Sequence, residues 1–482
     1  MLQMVQTMKM YTLLFLLFFA ASMQAQEVWS LERCIRYAQD NNITIKQALA
    51  NVRTAAISEK QAKASRLPNL SANINLGEQF GRTIDPTTNA FSTQATGYNS
   101  IGLNAGVNLF SGGLINHSIK QAGWDLKSAT ADAERTVNDL GLLIASGYLN
   151  ILLSEEQLSI ARKRVEQSES QLNVTLKLIE AGTVPMADKY NLLAQIARDQ
   201  QLGVQAQNTV DLAYLALKQY LQLEPDFDLR IERPNALIPA DANPDALSLT
   251  PLYQTALGTQ AGIRSVDYRV KSAEESVYIA KSGFYPSVSF FANLSSNYSS
   301  GFLDYFNGKY IRTDTVTTDF QFNGQPVTVG QFVDRFDYPK TKYFDQLDQN
   351  FGQGFGLSIN VPIYQNGRTR LSVERARLGV LTAQMQQTQT RQTLKNDIQT
   401  AIANARAARQ QLEASQKTFD ATAIAFQNTE KRHALGAVNA LDLTTAKNNR
   451  DIAENDLVVA KFDYIFKLKI LDFYEGKELK MN

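Results

Sequence analysis

Residues 137–182 read VNDLGLLIASGYLNILLSEEQLSIARKRVEQSESQLNVTLKLIEAG. Every seventh residue from the first valine is large and apolar: Val137, Ile144, Ile151, Leu158, Val165, Leu172 and Ile179. A second heptad series is mostly small: Leu140, Gly147, Ser154, Ala161, Ser168 and Thr175. Heptad spacing winds packed helices into a left-handed supercoil, and a seam of small residues lets their backbones approach closely. The pattern predicts one packed helix over residues 113–179, about 100 Å long at about 1.5 Å per residue.

The same register recurs 254 residues further along the chain. The positions that correspond to the large series are Ile398, Ala405, Leu412, Phe419 and Phe426. The helix-ending Gly182 has its counterpart in Gly436, and the segment FSGG at 110–113 has its counterpart in YQNG at 364–367. The chain therefore contains the same helical unit twice.

Four shorter stretches change to a period of two, at about residues 69–80, 99–110, 287–296 and 351–364. In the first, Leu70, Ile74 and Leu76 alternate with Ser71 and Asn73, which predicts a strand with one apolar and one small polar face. Such strands are long enough to cross a membrane in a tilted barrel. Four strands cannot close a barrel, and lipid does not tolerate open sheet edges, so several copies must pool their strands. The alternative is a periplasmic sandwich of short strands.

These patterns divide the chain into five parts. Residues 1–25 are predicted to be a signal peptide, and residues 26–223 form a first helix–strand–strand–helix repeat with a tip at about 180–188. The proline-rich stretch 224–251 is predicted to be a linker, residues 252–475 a second repeat with a tip at about 434–442, and residues 476–482 a tail. The second repeat has an additional aromatic-rich loop at about 299–350, which either lines the barrel mouth or recognises an external partner.

The N-terminus has the order of a secretory signal. Lys9 precedes an apolar run over residues 11–21, and Ala25 stands at a plausible cleavage point. The run is short for a membrane span, although a membrane anchor is the alternative interpretation. Cys34 lies inside a helical pattern and not at the cleavage region. We therefore expect an exported protein that is not lipidated.

The composition excludes several classes of function. Lys and Arg number 48 and Asp and Glu 47, so no basic excess indicates nucleic acid as a partner. The chain has one cysteine and two histidines, His117 and His433, which leaves little for a metal site. It has no glycine-rich phosphate loop and no nucleophile motif. The sequence predicts no catalytic residues, no cofactor and no metal, and therefore no enzyme.

The order of these features, more than any one motif, resembles the TolC family of outer-membrane efflux proteins (outer membrane factors). The residues that carry it are the opening LERCIRYAQDNN at 31–42, the prolines Pro68 and Pro286 before strands, and the tips EAGTVPMAD at 180–188 and LGAVNALD at 435–442. The resemblance implies a mainly helical fold with membrane strands, assembled as a homotrimer. Twelve strands would then form one β-barrel in outer-membrane lipid, and long coiled-coil helices would form a tunnel across the periplasm. The tip would dock a periplasmic adaptor and an inner-membrane pump.

Two carboxylates mark the tips. Asp188 and Asp442 each lie six residues after a helix-ending glycine, Gly182 or Gly436, near the start of a returning helix. A carboxylate there stabilises the positive end of the helix dipole. The resemblance implies that copies of Asp442, together with Asp188, ring a periplasmic constriction, where a ring of like charges would favour cations and opening.

This sequence departs from the family pattern at the tip. Thr445 stands where a second acidic residue is expected, Val438 where a basic one is expected, and His433 where a tyrosine often lies. The closing network of the family is therefore in question here. The charged residues Lys189, Lys431 and Arg432 are candidate adaptor contacts or a solvated surface, and His433 is a candidate packing residue or adaptor contact.

The leading hypothesis is a passive exit duct in the outer membrane of a Gram-negative bacterium, for tripartite efflux or type I secretion, with energy supplied by its partners. Two alternatives are a stand-alone outer-membrane porin or receptor and a secreted coiled-coil structural protein. The wall residues are small and polar, so the sequence does not indicate the cargo or which pump and adaptor it serves.

Overall fold

The computed structural model describes residues 28–84, 89, 91–93, 95–233, 243–435 and 437–477. The predicted signal peptide, Gly436 and the last five residues of the predicted tail lie outside them. The chain divides into two compact units. The first unit comprises the described residues up to Ile57, residues Gly123–Ser272 and the described residues from Gly379 onward. The second unit comprises the described residues of Ser58–Ala122 and Ala273–Leu378.

The predicted helices and the four predicted strands follow one another in the predicted order, and the loops between the strands contain further elements. The helices are α1 Leu31–Asn41, α2 Ile43–Ala64, α3 Leu114–Glu180, α4 Ala187–Leu221, α5 Leu249–Thr259, α6 Ala261–Ser282, α7 Tyr343–Gln349, α8 Arg368–Ala434 and α9 Ala440–Tyr474. The strands are β1 Asn69–Gln79, β2 Thr83–Ile84, β3 Phe91–Ser92, β4 Thr96–Ser111, β5 Ser287–Ser299, β6 Lys309–Phe322, β7 Gln325–Asp337 and β8 Gly352–Asn360. The long helices α3 and α8 each have 67 residues, and the returning helices α4 and α9 each have 35.

The seam of small residues is a packing surface in the first unit. Ser154, Ser168 and Thr175 are each at most 2% exposed on α3, and the large residue Ile151 of the other heptad series is fully buried. Small side chains at these positions let neighbouring helices approach closely. On α8, Ile398 of the second copy of the register is fully buried.

One stretch of α3 is apolar enough, by length and composition, to cross a membrane. Of the residues in that stretch 39% are buried, and Ile144, Ile151 and Leu152 of the same helix are buried against α1 and α4. Tyr148, in the same core, places its hydroxyl 2.6 Å from the carbonyl oxygen of Glu232, and burial raises the pKa of this phenol. Part of the apolar surface of α3 is therefore used in packing against other helices of the chain.

The second unit contains a four-stranded antiparallel sheet in the order β1-β4-β5-β8. The register puts apolar residues on one face, which we call the apolar face: Leu70, Ala72, Ile74, Leu76, Ile101, Leu103, Ala105, Val107, Val288, Phe290, Ala292, Leu294, Phe355, Leu357 and Ile359. The opposite face, which we call the polar face, is mostly Asn, Ser and Gly. There Asn104 donates its amide to Oδ1 of Asn73 at 2.8 Å. The strands β1 and β8 are the open edges of this sheet.

Equivalent turns join the strands to the long helices in both halves. Gly112 and Gly113 have φ of 63° and 87°, and Asn366 and Gly367 have φ of 51° and 73°. Both pairs occupy the left-handed region, which glycine and asparagine tolerate best. A Cβ added to Gly112 would lie 2.6 Å from the carbonyl oxygen of Ser282, so the chain passes too close there for a side chain.

The aromatic-rich loop is more structured than the sequence indicated. It contains an antiparallel hairpin, β6–β7, and the short helix α7. The hairpin turns at Asn323 and Gly324, whose φ values are 51° and 78°. A smaller hairpin, β2–β3, lies in the loop of the first half. The described residues thus form eight strands, of which four belong to the main sheet.

Candidate functional site

The first tip begins where α3 ends in a turn closed by glycine. Gly182 has φ of 74°, and its N–H donates to the carbonyl oxygen of Ile179 at 2.9 Å. The N–H of Thr183 donates to the carbonyl oxygen of Leu178 at 3.0 Å. This pair of hydrogen bonds is the Schellman motif, which uses a left-handed residue to satisfy the last carbonyls of a helix. A residue other than glycine at 182 would strain the turn.

The second tip uses an equivalent bond and then a side-chain cap. The N–H of Ala437 donates to the carbonyl oxygen of Arg432 at 2.9 Å, which corresponds to the bond from Thr183 to Leu178. Helix α9 begins after Asn439, whose Oδ1 accepts a 2.8 Å hydrogen bond from the N–H of Asp442. An asparagine in this position satisfies one of the N–H groups that a helix start leaves free. The first tip has Pro185 at the equivalent place and no side-chain cap.

The two tip carboxylates occupy the first turns of the returning helices. Asp442 is exposed and Asp188 is half-buried. Both carboxylates lie where the helix dipole favours negative charge, by about 0.3–1 kcal/mol each. The residue that caps α9 is Asn439, so the side chain of Asp442 does not serve as the N-terminal cap of this helix.

The candidate adaptor contacts differ in exposure. Lys431 and Arg432 are exposed at the end of α8, and Lys189 is half-buried with its ammonium 6.0 Å from the ring centroid of Tyr190. His433 is 6% exposed, which matches packing, the alternative that its heptad position allowed. As a buried residue of the single chain it offers little surface to an adaptor.

Both tips also carry large apolar residues that sequence reasoning missed. Leu435 and Leu441 are 83% and 72% exposed at the second tip, and Met186 and Tyr190 are 57% and 63% exposed at the first. Exposed apolar groups beside a turn mark a protein interaction surface when they cluster. Their position in the sequence beside Gly182 and Gly436, which were predicted to end the long helices, was the signal that could have identified them.

A second missed feature is a buried group of charges beyond the tips. Lys447 on α9 is 5% exposed and Asp199 on α4 is 3% exposed. The ammonium of Lys447 donates to Oγ of Ser168 at 2.5 Å and to the carbonyl oxygen of Arg164 at 3.3 Å, both on α3. It lies 3.5 Å from the carboxylate of Asp199, to which Gln195 also donates at 2.9 Å. One lysine therefore connects three helices.

A second ion pair adjoins it. The guanidinium of Arg164 on α3 lies 3.6 Å from the carboxylate of Asp451 on α9, and it also donates to the carbonyl oxygen of Asp451. Arg450 donates to the same carboxylate at 2.9 Å. Buried ion pairs add little stability compared with apolar residues of the same size, but the loss of one partner is costly because it leaves a buried charge unpaired. We call Arg164, Ser168, Asp199, Lys447 and Asp451 the buried charge network.

Neither histidine lies in a metal site among the residues that the structure describes, where no three His, Cys, Asp or Glu residues form a suitable group. His117 places Nδ1 2.6 Å from Oε2 of Glu275, and its ring stacks on that of Tyr278 with centroids 4.8 Å apart. The described residues offer three other candidate functional features, which are the two tips, the buried charge network and the amphipathic sheet.

Comparison with known proteins identifies the family. The family described as "Outer membrane efflux protein" matches residues 34–222 and 343–469, which is more than half of the chain. The chain belongs to this outer membrane efflux protein family. Membership of this family supports a role in transport at the outer membrane rather than in catalysis. The unmatched part includes the linker, β5 and the β6–β7 hairpin.

Individual relatives are distant. The chain is 24% identical over 197 residues to "Outer membrane protein TolC" of Salmonella enteritidis, and this match spans only 40% of each protein. It is 23% identical over 434 residues to "Probable outer membrane lipoprotein SilC" of Salmonella typhimurium, across 87% of this chain and 79% of that one. Its fold is similar to the solved structure of CusC, with a TM-score of 0.75 and 16% identity over 95% of this chain and 96% of the other.

Proposed function

We propose that this family member is the outer-membrane exit duct of a tripartite efflux or type I secretion system and that it works as a homotrimer. The observation that carries the proposal is the four-stranded sheet, which has one apolar face, one polar face and two open edges. Open edges are not tolerated in lipid. Three copies would close twelve strands into one barrel, with the apolar face toward lipid and the polar face toward an aqueous channel.

Exposed apolar residues on the helices support several copies. Leu371, Leu378 and Met385 on α8 recur at heptad spacing and are 62%, 63% and 61% exposed in the single chain. A heptad stripe of this kind is the packing face of a coiled coil. A neighbouring copy would cover it and complete a helical tunnel across the periplasm, built from the two helix–strand–strand–helix repeats of each copy.

We place the entrance of the duct at the two tips. In a trimer, three copies of exposed Asp442, with Asp188 nearby, would surround the mouth and attract cations. Val438 and Thr445 supply no ion pair to close it, so closure would rest on the packing of the helices and on the buried charge network. The turn closed by Gly182 would lie at this end, and Gly436, which lies outside the described residues, is its counterpart in the sequence.

The tips would also receive the partners. Leu435, Leu441, Met186 and Tyr190 would offer exposed apolar side chains at the tips, and Lys189, Lys431 and Arg432 would add positive charge there. A periplasmic adaptor that docks there would connect the duct to an inner-membrane pump. The duct itself would be passive, and the pump would supply the energy.

The native mass of the purified protein in detergent tests the shared barrel. We expect three times the mass of the mature chain after the detergent contribution is subtracted. A monomer that inserts stably into vesicles would overturn the proposal, because four strands cannot close a barrel.

The main rival is a stand-alone porin or receptor. The β6–β7 hairpin favours it, since Phe320 and Phe332 are 50% and 78% exposed and available to an external ligand. Planar-bilayer recording separates the two. An exit duct with a closed tip gives a small resting current without its adaptor, whereas a large resting current would favour the porin.

A further inference from the structure

The short helix α7 lies on a defined side of the sheet. Antiparallel partners share a face, and Asn99 is opposite Leu76 while Ser296 is opposite Ile101. Leu76 and Ile101 belong to the apolar face, so Asn99 and Ser296 do too. Tyr298, opposite Asn99, is on the same face.

These three residues contact α7. The amide of Asn99 donates to the hydroxyl of Tyr343 at 2.5 Å, and Oγ of Ser296 donates to the carbonyl oxygen of Leu347 at 2.7 Å. The rings of Tyr298 and Tyr343 have centroids 4.9 Å apart. Helix α7 is therefore seated on the apolar face, at the end of β4 and β5 that is remote from the turns into α3 and α8.

A buried glutamine fixes α7 in place. Gln346 is 1% exposed, and its Oε1 accepts from the N–H of Ser299 at 3.0 Å. Its Nε2 donates to the carbonyl oxygens of Ser299 at 3.0 Å and Thr341 at 3.1 Å. Asn350 follows the helix and donates to the carbonyl oxygen of Asn297 at 2.9 Å. Because these bonds tie the middle of α7 and the residue after it to the backbone of β5, α7 is held against the sheet.

The apolar face changes its chemistry where α7 begins. From Ile101 to Val107 its β4 residues are apolar, and beyond Ile101 the next residue on the face is Asn99. Residues 101–109 would rise roughly 20 Å along a barrel axis at a tilt of about 40°, which is close to the apolar band of about 25 Å of outer-membrane barrels. The polar end that carries α7 thus lies where such a band ends.

We propose that α7 is a rim helix that rests in the outer leaflet at the boundary between acyl chains and headgroups, with Phe344 inserted into the lipid. This inference rests on the proposed barrel. Phe344 is 79% exposed, while Asp345 and Asp348 are exposed beside it and can face the headgroup region. Aromatic residues form such girdles at both borders of outer-membrane barrels. Here a helix of the aromatic-rich loop, seated on the lipid-facing side of the proposed barrel, supplies the aromatic side chain of Phe344 at that border.

Spin labels at three single cysteines test the depth of α7. The variants are Phe344→Cys on α7, Phe355→Cys on the apolar face in β8 and Phe306→Cys in the loop, where the native side chains are 79%, 79% and 100% exposed. The native Cys34 stays unlabelled, because it is fully buried and burial raises the pKa of its thiol to about 12. Each protein is placed in phosphatidylethanolamine–phosphatidylglycerol vesicles, and collisions with oxygen and with a water-soluble nickel chelate are measured.

We expect the label at 355 to be severalfold more accessible to oxygen than to the chelate, the label at 306 to show the reverse, and the label at 344 to lie between them. A label at 344 that is as accessible to the chelate as that at 306, while 355 remains in lipid, would overturn the rim helix and leave the barrel intact. A label at 355 that is exposed to the chelate would overturn the barrel itself, and the rim helix with it. The equal native exposure of Phe344 and Phe355 makes their comparison a measure of depth.

Discussion

Lys447 on α9 and Asp199 on α4 form an ion pair of 3.5 Å inside the first unit, with their side chains 6% and 4% exposed. Ser168 on α3 lies between them, since its hydroxyl donates to Asp199 at 2.5 Å and accepts from Lys447 at 2.5 Å. Helices α3 and α4 come from the first half of the chain and α9 from the second. The pair therefore ties the two halves together at one register.

The first prediction concerns the loss of this ammonium. Lys447→Met leaves Asp199 buried without its counter-ion, and we expect a loss of about 3–5 kcal/mol in the free energy of unfolding. Denaturant unfolding in detergent, followed by tryptophan fluorescence, measures it. The control is Lys461→Met on the same helix, where the lysine is exposed and the change should stay within about 0.5 kcal/mol.

A double-mutant cycle separates the pair from general damage to packing. Replacing both partners, Lys447→Met with Asp199→Leu, removes the unpaired charge, so part of the lost stability should return. Additive losses in the double variant, or equal losses from Lys447→Met and Lys461→Met, would show that the two charges do not act as a pair.

The second prediction concerns the mouth of the duct. Asp442→Ala should weaken the block of single-channel current by divalent cations, because it removes three negative charges from the proposed constriction. Asp456→Ala on the same helix is the control, since Asp456 is exposed but remote from the tip in sequence. Unchanged block in Asp442→Ala would remove this carboxylate from the constriction.

The third prediction concerns the start of α9. Asn439→Ala removes the acceptor for the N–H of Asp442 and should cost about 1 kcal/mol of local stability. Amide hydrogen exchange of the peptide that contains Asp442 and Leu443 should become faster, while the equivalent peptide at the first tip, where no side chain caps α4, should not change. Unchanged exchange at the second tip would mean that the cap contributes nothing there.

The sequence predicted the elements that depend on local pattern. Helix α3 ends at Glu180 because Gly182 supplies a left-handed residue, and this signal is visible in one sequence. The main-sheet strands followed from strict alternation. The β6–β7 hairpin was missed although Asn323-Gly324, between alternating residues, is a strong local signal for a two-residue hairpin turn.

The buried charge network depends on packing among three helices that are distant in sequence. Lys447, Asp199 and Asp451 resemble ordinary surface charges of long helices, and only the approach of α9 to α3 and α4 buries them. Ser168 gave a partial signal, since a small residue in the seam marks a close approach. The position of α7 on the sheet could not be predicted from the sequence either. It depends on hydrogen bonds between the side chain of Gln346 and the backbone of Ser299, which are separated by a long loop.

The last prediction exchanges the residues that distinguish the two strand-to-helix turns. Gly112 and Asn366 occupy equivalent left-handed positions, so an asparagine at 112 would find a backbone conformation that it tolerates. Its Cβ would nevertheless lie 2.6 Å from the carbonyl oxygen of Ser282, and backbone cannot yield cheaply. Gly112→Asn should therefore lower the free energy of unfolding by about 1–3 kcal/mol through overpacking, seen as a lower thermal midpoint in detergent. The reverse exchange, Asn366→Gly, should change it by less than about 1 kcal/mol. If Gly112→Asn were as mild as Asn366→Gly, the close approach at Ser282 would not be what requires glycine in the first half.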